Sequence, residues 1–244
     1  MFEFFATYFL YFLAYSFFGW FFEVCISLVR LHKFVNRCFL NGPYCPIYGV
    51  GALIFLQLQH FTTRPIELFF IGAIAACSLE YFVSWLMEKL FKARWWDYSE
   101  WPLHINGRVC LYGFLAFGGF SAILPYIHAP LSSFILSIPT NIKYPLAIIL
   151  AIFFIIDIAT SNAAMAQLNK MLQKYQKHFK LPIFIEKQLQ RGREAFTFQQ
   201  RRILKAFPYF SSIKYAEPLK RLQKINEKAK KQFEKTKFKP MKKA

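Results

Sequence analysis

Long apolar runs separated by short polar connections fill the chain up to Ala166, and the pattern changes after it. A helix needs roughly 20 mainly apolar residues to cross about 30 Å of hydrocarbon. Five stretches qualify: residues 4–29, 38–61, 65–91, 109–127 and 146–166. The first is interrupted only by Glu23. The second is uncharged, but Gly42, Pro43, Pro46, Gly49 and Gly51 fall within ten residues. Pro removes a backbone donor and Gly weakens a helix, so this stretch is predicted to begin irregularly and become helical from about Ile47. Irregular backbone at membrane depth is tolerated only when buried in protein or lining a wet cavity, and broken helices often mark binding sites. The plainer alternative is an interfacial loop leading into a short helix.

Beyond Ala166 the helix is expected to continue through Leu168, Leu172 and Tyr175 as far as Leu181-Pro182. A second helical stretch is predicted over residues 184–207, ended by Pro208. A third follows over residues 219–237, where Leu222, Ile225, Ala229 and Phe233 recur at helical spacing. The predicted fold is therefore all-α: a five-span transmembrane domain over residues 1–166 and a basic helical tail over residues 167–244.

Composition supports this division. With 56% hydrophobic residues, 18% charged and 31 Phe in 244 residues, the chain is too apolar for a soluble domain. Residues 1–166 carry nine Lys/Arg against eight Asp/Glu, whereas residues 167–244 carry 22 against five, which places +17 of the formal +18 in the tail. Five scattered Cys without a C-x-x-C pair argue against a disulfide or zinc framework and read as small buried hydrophobes. The amino terminus lacks a basic n-region, and its apolar run is too long for a signal h-region, so it reads as a retained span.

Basic residues near the span ends set the orientation, because cytoplasmic connections are enriched in Lys and Arg. Arg30, Lys33 and Arg37 lie between spans one and two, and Lys92, Arg94 and Arg108 between three and four, whereas the other connections hold only Arg64 and Lys143. The amino terminus is expected outside and the tail in the cytoplasm of a multi-pass cell-membrane protein. The tail then reads as a solvated helix docked weakly on its own protein, or as a surface for anionic lipid or a partner protein. Nucleic acid is disfavoured, since no binding motif accompanies the charge.

Three carboxyls lie inside apolar spans. At about 1.5 Å rise per residue, Glu23 sits about 9 Å above Val29, Asp157 about 13 Å above Ala166 and Glu80 about 16 Å above Phe91. An unpaired charge at the bilayer centre costs about 2.5–3.5 kcal/mol even on a lenient scale, so the three are expected to converge on the bundle interior, protonated, hydrated or paired with Arg30, Arg37 or Arg108. They are candidates for a polar pathway or a cation or proton site, with Asn162 beside Asp157; the alternative is polar glue between helices. Glu88 is expected to form a solvated pair with Lys89 or Lys92. Glu67 is read as a helix N-terminal acid.

The connection after span three reads Arg94-Trp95-Trp96-Asp97-Tyr98-Ser99-Glu100-Trp101 and continues to Asn106-Gly107-Arg108. An aromatic belt at the headgroup level would account for Trp95 and Trp101. Asp97, Asn106 and Arg108 could supply an acceptor, an amide and a guanidinium fork at a cytoplasmic mouth. Gly19-Trp20 with Glu23, the run Asn36-Arg37-Cys38-Phe39-Leu40-Asn41-Gly42-Pro43-Tyr44-Cys45-Pro46-Ile47-Tyr48-Gly49, Trp96-Asp97-Tyr98-Ser99 and Asn106-Gly107-Arg108 together resemble the bacterial family called putative ABC-transporter type IV, or putative ABC transporter permease. The likeness covers roughly residues 15–120. Cys38 stands where the resemblance leads us to expect Gly, and the tail lies outside the likeness. The resemblance implies a permease-like, transport-related subunit and supplies no catalytic residue.

The chain has no G-x-x-x-x-G-K-[ST], H-E-x-x-H or G-x-S-x-G motif, so it is not expected to be an enzyme or to need a cofactor or metal, and ATP-driven activity would require a separate ATPase chain. The competing expectation is a membrane anchor or scaffold acting through its basic tail. Five spans are few to enclose a pathway, so a homo-oligomer is a plausible assembly.

Overall fold

The computed structural model describes residues 2–32, 34, 36, 38–177, 197–206 and 211–212. Five helices, α1 (Phe2–Leu31), α2 (Pro46–Leu58), α3 (Pro65–Phe91), α4 (Leu111–Ser137) and α5 (Thr140–Lys177), make up the body. A short helix, α6 (Phe198–Ala206), follows, and β1 (Ala93–Arg94) pairs antiparallel with β2 (Ser211–Ser212). The helices expected over residues 184–196 and 219–237 lie outside the described residues, as does Arg37.

Among the described residues four helices, α1, α3, α4 and α5, are long and apolar enough to cross a membrane. The second predicted span differs: its helix has 13 residues, about 20 Å at 1.5 Å per residue, and residues 38–45 form no helix. Pro46 occupies the first helical turn, where its missing N–H costs nothing. The expected connection over residues 128–145 is a correction of another kind. Helices α4 and α5 extend almost through it, leaving Ile138 and Pro139 between them. Pro125, Pro130 and Pro145 are accommodated inside helices, as transmembrane helices tolerate.

Side-chain registers fix the packing. On α1 and α2, Gly19 abuts Tyr48 while Gly49 abuts Ser16 and Phe12, so the two helices run antiparallel. On α3 and α4, Gly72 meets Ser121 and Glu80 faces Gly113, again antiparallel. Phe2 packs on Tyr144 and Phe12 on Phe154, so α1 and α5 run parallel. The carboxyl ends of α1, α3 and α5 and the amino end of α4 therefore share one end of the bundle, the loop end; the opposite, turn end carries the tight connections. Tyr11, Tyr15, Phe55, Leu124 and Ala147 lie in the core, while Phe5, Ile66 and Phe153 are more than 60% exposed. An apolar exterior around a tightly packed interior is what a lipid-facing bundle requires.

Close approach of α1 and α2 depends on Gly49. A Cβ there would collide with Ser16 Oγ and lie 2.5 Å from the Phe12 carbonyl, whereas one on Gly119 meets nothing within 4 Å. Gly49→Ala should cost about 1–3 kcal/mol through overpacking; Gly119→Ala should be neutral or slightly stabilising, since Ala favours helix. Thermal unfolding of both variants in detergent checks this, and equal stabilities would refute the packing argument.

Candidate functional site

Residues 38–45 leave the helical path beside the middle of α1, where the Cys45 N–H donates to the Ser16 carbonyl at 2.9 Å. Chain freed from a helix at this depth has donors and acceptors to satisfy. Asp157 of α5 takes the donors. Its Oδ1 accepts from Asn41 N (3.0 Å), Asn41 Nδ2 (2.7 Å) and Ser161 Oγ (3.1 Å), and its Oδ2 from Gly42 N (2.8 Å) and Tyr44 OH (2.6 Å). Pro43 brings no N–H to satisfy.

Arg202 of α6 takes the acceptors. Its Nη1 donates to the carbonyls of Cys38 (2.9 Å) and Leu40 (2.8 Å), and its Nη2 to that of Phe39 (2.5 Å). Burial lowers this guanidinium's pKa and nearby Asp157 offsets only part of that; an Arg remains a cation throughout. Asn36 brackets the segment, accepting from Cys38 N at 3.1 Å and donating to the Asn41 carbonyl at 3.3 Å. The expectation of five unpaired cysteines is corrected here: Cys38 and Cys45 form a disulfide across the segment, with Cα atoms 5.5 Å apart. Spacing gives no hint of it, because the fold-back of residues 39–44 is what brings the two together.

The other two carboxyls form a separate cluster. Tyr48, in the first turn of α2, donates to Glu23 Oε1 at 2.8 Å, and Tyr98 donates to Glu80 Oε1 at 3.2 Å. Glu23 and Glu80 lie within electrostatic range of each other. Glu80 is 7% exposed, and its Oε2 is buried without a hydrogen-bond partner among the described residues. It points towards Gly113, where an added Cβ would lie 3.7 Å away. Asn162, expected beside Asp157, is exposed and donates to its own helix at Ile158 (2.9 Å); Ser161 takes that place.

Residues 93–110 fold back along α3 and close over this cluster. Tyr98 reaches Glu80, and Asn106 Nδ2 donates to Tyr81 OH at 2.9 Å. Gly107 holds the turn at φ 66°, and a Cβ there would strike Asp97 Oδ1. Trp96 Nε1 donates to the Arg108 carbonyl at 3.1 Å, and Ser99 N to Asp97 Oδ1 at 3.1 Å. Glu88 is corrected from its expected pairing with Lys89 or Lys92. It binds Arg108 at 2.8 Å, while Lys89 sits over the Trp85 ring at 4.2 Å. Trp95 does not join an interfacial belt; it is 2% exposed and packs on Phe39 and Phe91, tying the loop to the unwound segment. Burial and the neighbouring Glu80 and Glu23 raise the Tyr98 hydroxyl's pKa, so it stays a donor.

Two further features escape the sequence reading. Tyr15 OH pairs with His128 Nδ1 at 2.9 Å and Tyr11 OH with Ser132 Oγ at 2.7 Å, a polar seam between α1 and α4 signalled only by a lone His in an apolar run. Thr197 and Gln200 exchange N–H bonds at 3.3 and 3.0 Å, a capping box that starts α6 and is legible as T-x-x-Q.

Residues 10–162 match the family described as Putative ABC-transporter type IV. The chain belongs to that family. No curated protein and no solved structure matches it. Within the family region lie Asp157, the unwound segment, both glutamates and the folded-back loop; Arg202 lies beyond it.

Two outcomes follow for these groups. Asp157→Ala strips five donors of their acceptor and should destabilise the protein by about 3 kcal/mol or more, with hydrogen exchange rising first in residues 38–45; unchanged exchange there would refute the anchoring role. Asp97 is raised by burial, but hydrogen bonds from Ser99 and the Arg94 guanidinium outweigh that and hold its pKa below the usual carboxylate value. With the folded pKa depressed, its contribution is present above the unfolded value of about 3.9 and is lost as pH falls through the folded one. Loop protection, taken as the exchange rate relative to the intrinsic rate at each pH, should therefore be constant from about pH 5 to 8 and fall below about pH 4 in wild type, with Asp97→Asn already less protected at pH 7.

Proposed function

We propose that this family member is a non-enzymatic, permease-like subunit of a transport system in the cell membrane, with Glu23 and Glu80 on its polar pathway and the loop over residues 93–110 as the gate at its cytoplasmic mouth. The observation carrying this reading is Glu80: a buried carboxyl with one oxygen unpartnered among the described residues, beside a second carboxyl and a broken crossing. Ionisable groups held inside a bundle at such a cost are the usual marks of ion or substrate paths.

In this reading residues 38–45 and α2 together make the second of five crossings, and the amino terminus lies outside. The charge distribution supports this sense. Among the described residues the turn end carries Arg64 and Lys143, paired with Glu67 (3.1 Å) and Glu3 (3.7 Å), whereas Lys92, Arg94, Arg108 and Lys170 gather at the loop end, where Arg94 pairs with Asp97 (3.1 Å) and Arg108 with Glu88 (2.8 Å). No nucleotide-binding loop is present in the sequence, so energy from ATP would come through a separate ATPase chain.

Water access to Glu80 tests the pathway. In a background with Cys25, Cys77 and Cys110 replaced by Ala, Glu80→Cys should react with a charged, membrane-impermeant thiol reagent in inside-out vesicles, and faster when Tyr98→Phe or Gly107→Val loosens the loop. Failure to label in either background would make the glutamates structural and remove the pathway.

A further inference from the structure

Three successive carbonyls, those of Cys38, Phe39 and Leu40, turn towards one point and meet there the guanidinium of Arg202. We propose that these carbonyls, beside Asp157, form a site for a small monovalent cation, which Arg202 fills as a tethered cation while α6 is docked.

Aligned carbonyl dipoles repel one another, so an array of this kind is stable only around positive charge. Unwound backbone carbonyls at a broken crossing are a common source of cation ligands. The fit to a guanidinium is partial: Nη1 is shared between two carbonyls, and Nε is buried with no hydrogen-bond partner among the described residues. An Arg in a site shaped for it uses its planar fork in paired bonds to one acceptor group; here the three oxygens converge on one end of the fork, as they would on a compact ion. Asp157 lies within electrostatic range of Arg202, so one positive charge balances the site and two would exceed it.

The cage and its occupant also belong to different parts of the chain. Cys38, Phe39, Leu40 and Asp157 fall inside the family region, residues 10–162, and Arg202 lies forty residues past its end, on the nine-residue α6. That helix is seated by Ile203 and Gln200, both buried, while Phe198 is 71% exposed. Withdrawal of α6 would leave three carbonyls beside a carboxylate with no cation. A free monovalent ion supplies the missing charge without any other rearrangement. This inference is separate from the glutamate pathway, which lies in the other cluster and is read out by labelling rather than by stability.

The test is thermal unfolding of the full chain in nanodiscs, in potassium, sodium or N-methylglucamine chloride at equal ionic strength, with a few millimolar guanidinium added in a fourth sample. Wild type should vary by less than about 1 °C among salts. Arg202→Ala should lose about 5 °C in N-methylglucamine and recover at least half of it, saturably, in potassium, sodium or guanidinium. Arg202→Lys, which retains a tethered cation, should stay close to wild type in every salt. Arg202→Gln, which keeps a donor but no charge, is run in parallel and should show the recovery if Arg202→Ala does not fold. Equal losses in all salts, no loss in any, or a cation response as large in wild type would each overturn the proposal, leaving Arg202 as a fixed cap on the segment.

Discussion

A main chain that leaves the helix inside a bundle must find a partner for every N–H and C=O it frees, and the stretch from Cys38 to Cys45 is where that requirement falls. In water the cost would be slight; in hydrocarbon each orphaned group costs several kcal/mol. The solution divides the task by sign. One carboxylate, Asp157, gathers the donors of Asn41, Gly42 and Tyr44, and one guanidinium, Arg202, gathers the acceptors of Cys38, Phe39 and Leu40. The two charges also compensate each other. Neither would be tolerable at this position alone, so the segment, α5 and α6 form one interdependent unit.

The rest of the arrangement follows from where that segment ends. Because Cys45 stops beside Ser16, midway along α1, a helix of 13 residues suffices for the remaining distance, and its first turn presents Tyr48 to Glu23 rather than to solvent. Gly49 then has to lie against Ser16 and Phe12, which fixes how α2 seats on α1. Tyr44 and Tyr48 are four residues apart, yet one serves Asp157 and the other Glu23. The two carboxyl clusters are thus separate in space but joined through a single short stretch of chain, and a displacement of residues 38–45 would be felt by both.

Much of this architecture was legible in the sequence, for a simple reason: hydropathy and Gly/Pro placement act locally. The apolar runs gave α1 and α3 to within two residues at each end, and the Gly/Pro cluster located the break in the second crossing, with α2 starting at Pro46 against an expected Ile47. The lengths of α4 and α5 were not legible, since the apolar runs are interrupted between residues 128 and 145 while the helices continue through that stretch, prolines included. Glu23, Glu80 and Asp157 were identifiable because a carboxyl in an apolar run is conspicuous. Their division into two clusters was not, because depth along a helix says nothing about which face a residue occupies relative to its neighbours. The Cys38–Cys45 disulfide and the burial of Trp95 were hidden for the same reason: both depend on chain reversals whose course is set by partners far away in sequence.

Arg202 shows the limit most clearly. Among 22 basic residues after Ala166 nothing distinguishes it, because its partners are backbone carbonyls, which every residue possesses and no motif announces. A reading by net charge alone assigns the whole tail to the outside, as a lipid-binding or partner-binding surface. The guanidinium among the carbonyls of residues 38–40, the buried Ile203 and the pairing of Ser211–Ser212 with Ala93–Arg94 make part of that tail a component of the body instead. Removing the tail would therefore strip the unwound segment of its acceptors' partner as well as deleting the charge. A loss of activity on truncation would not by itself assign a role to the basic residues, and a substitution at Arg202 alone separates the two effects.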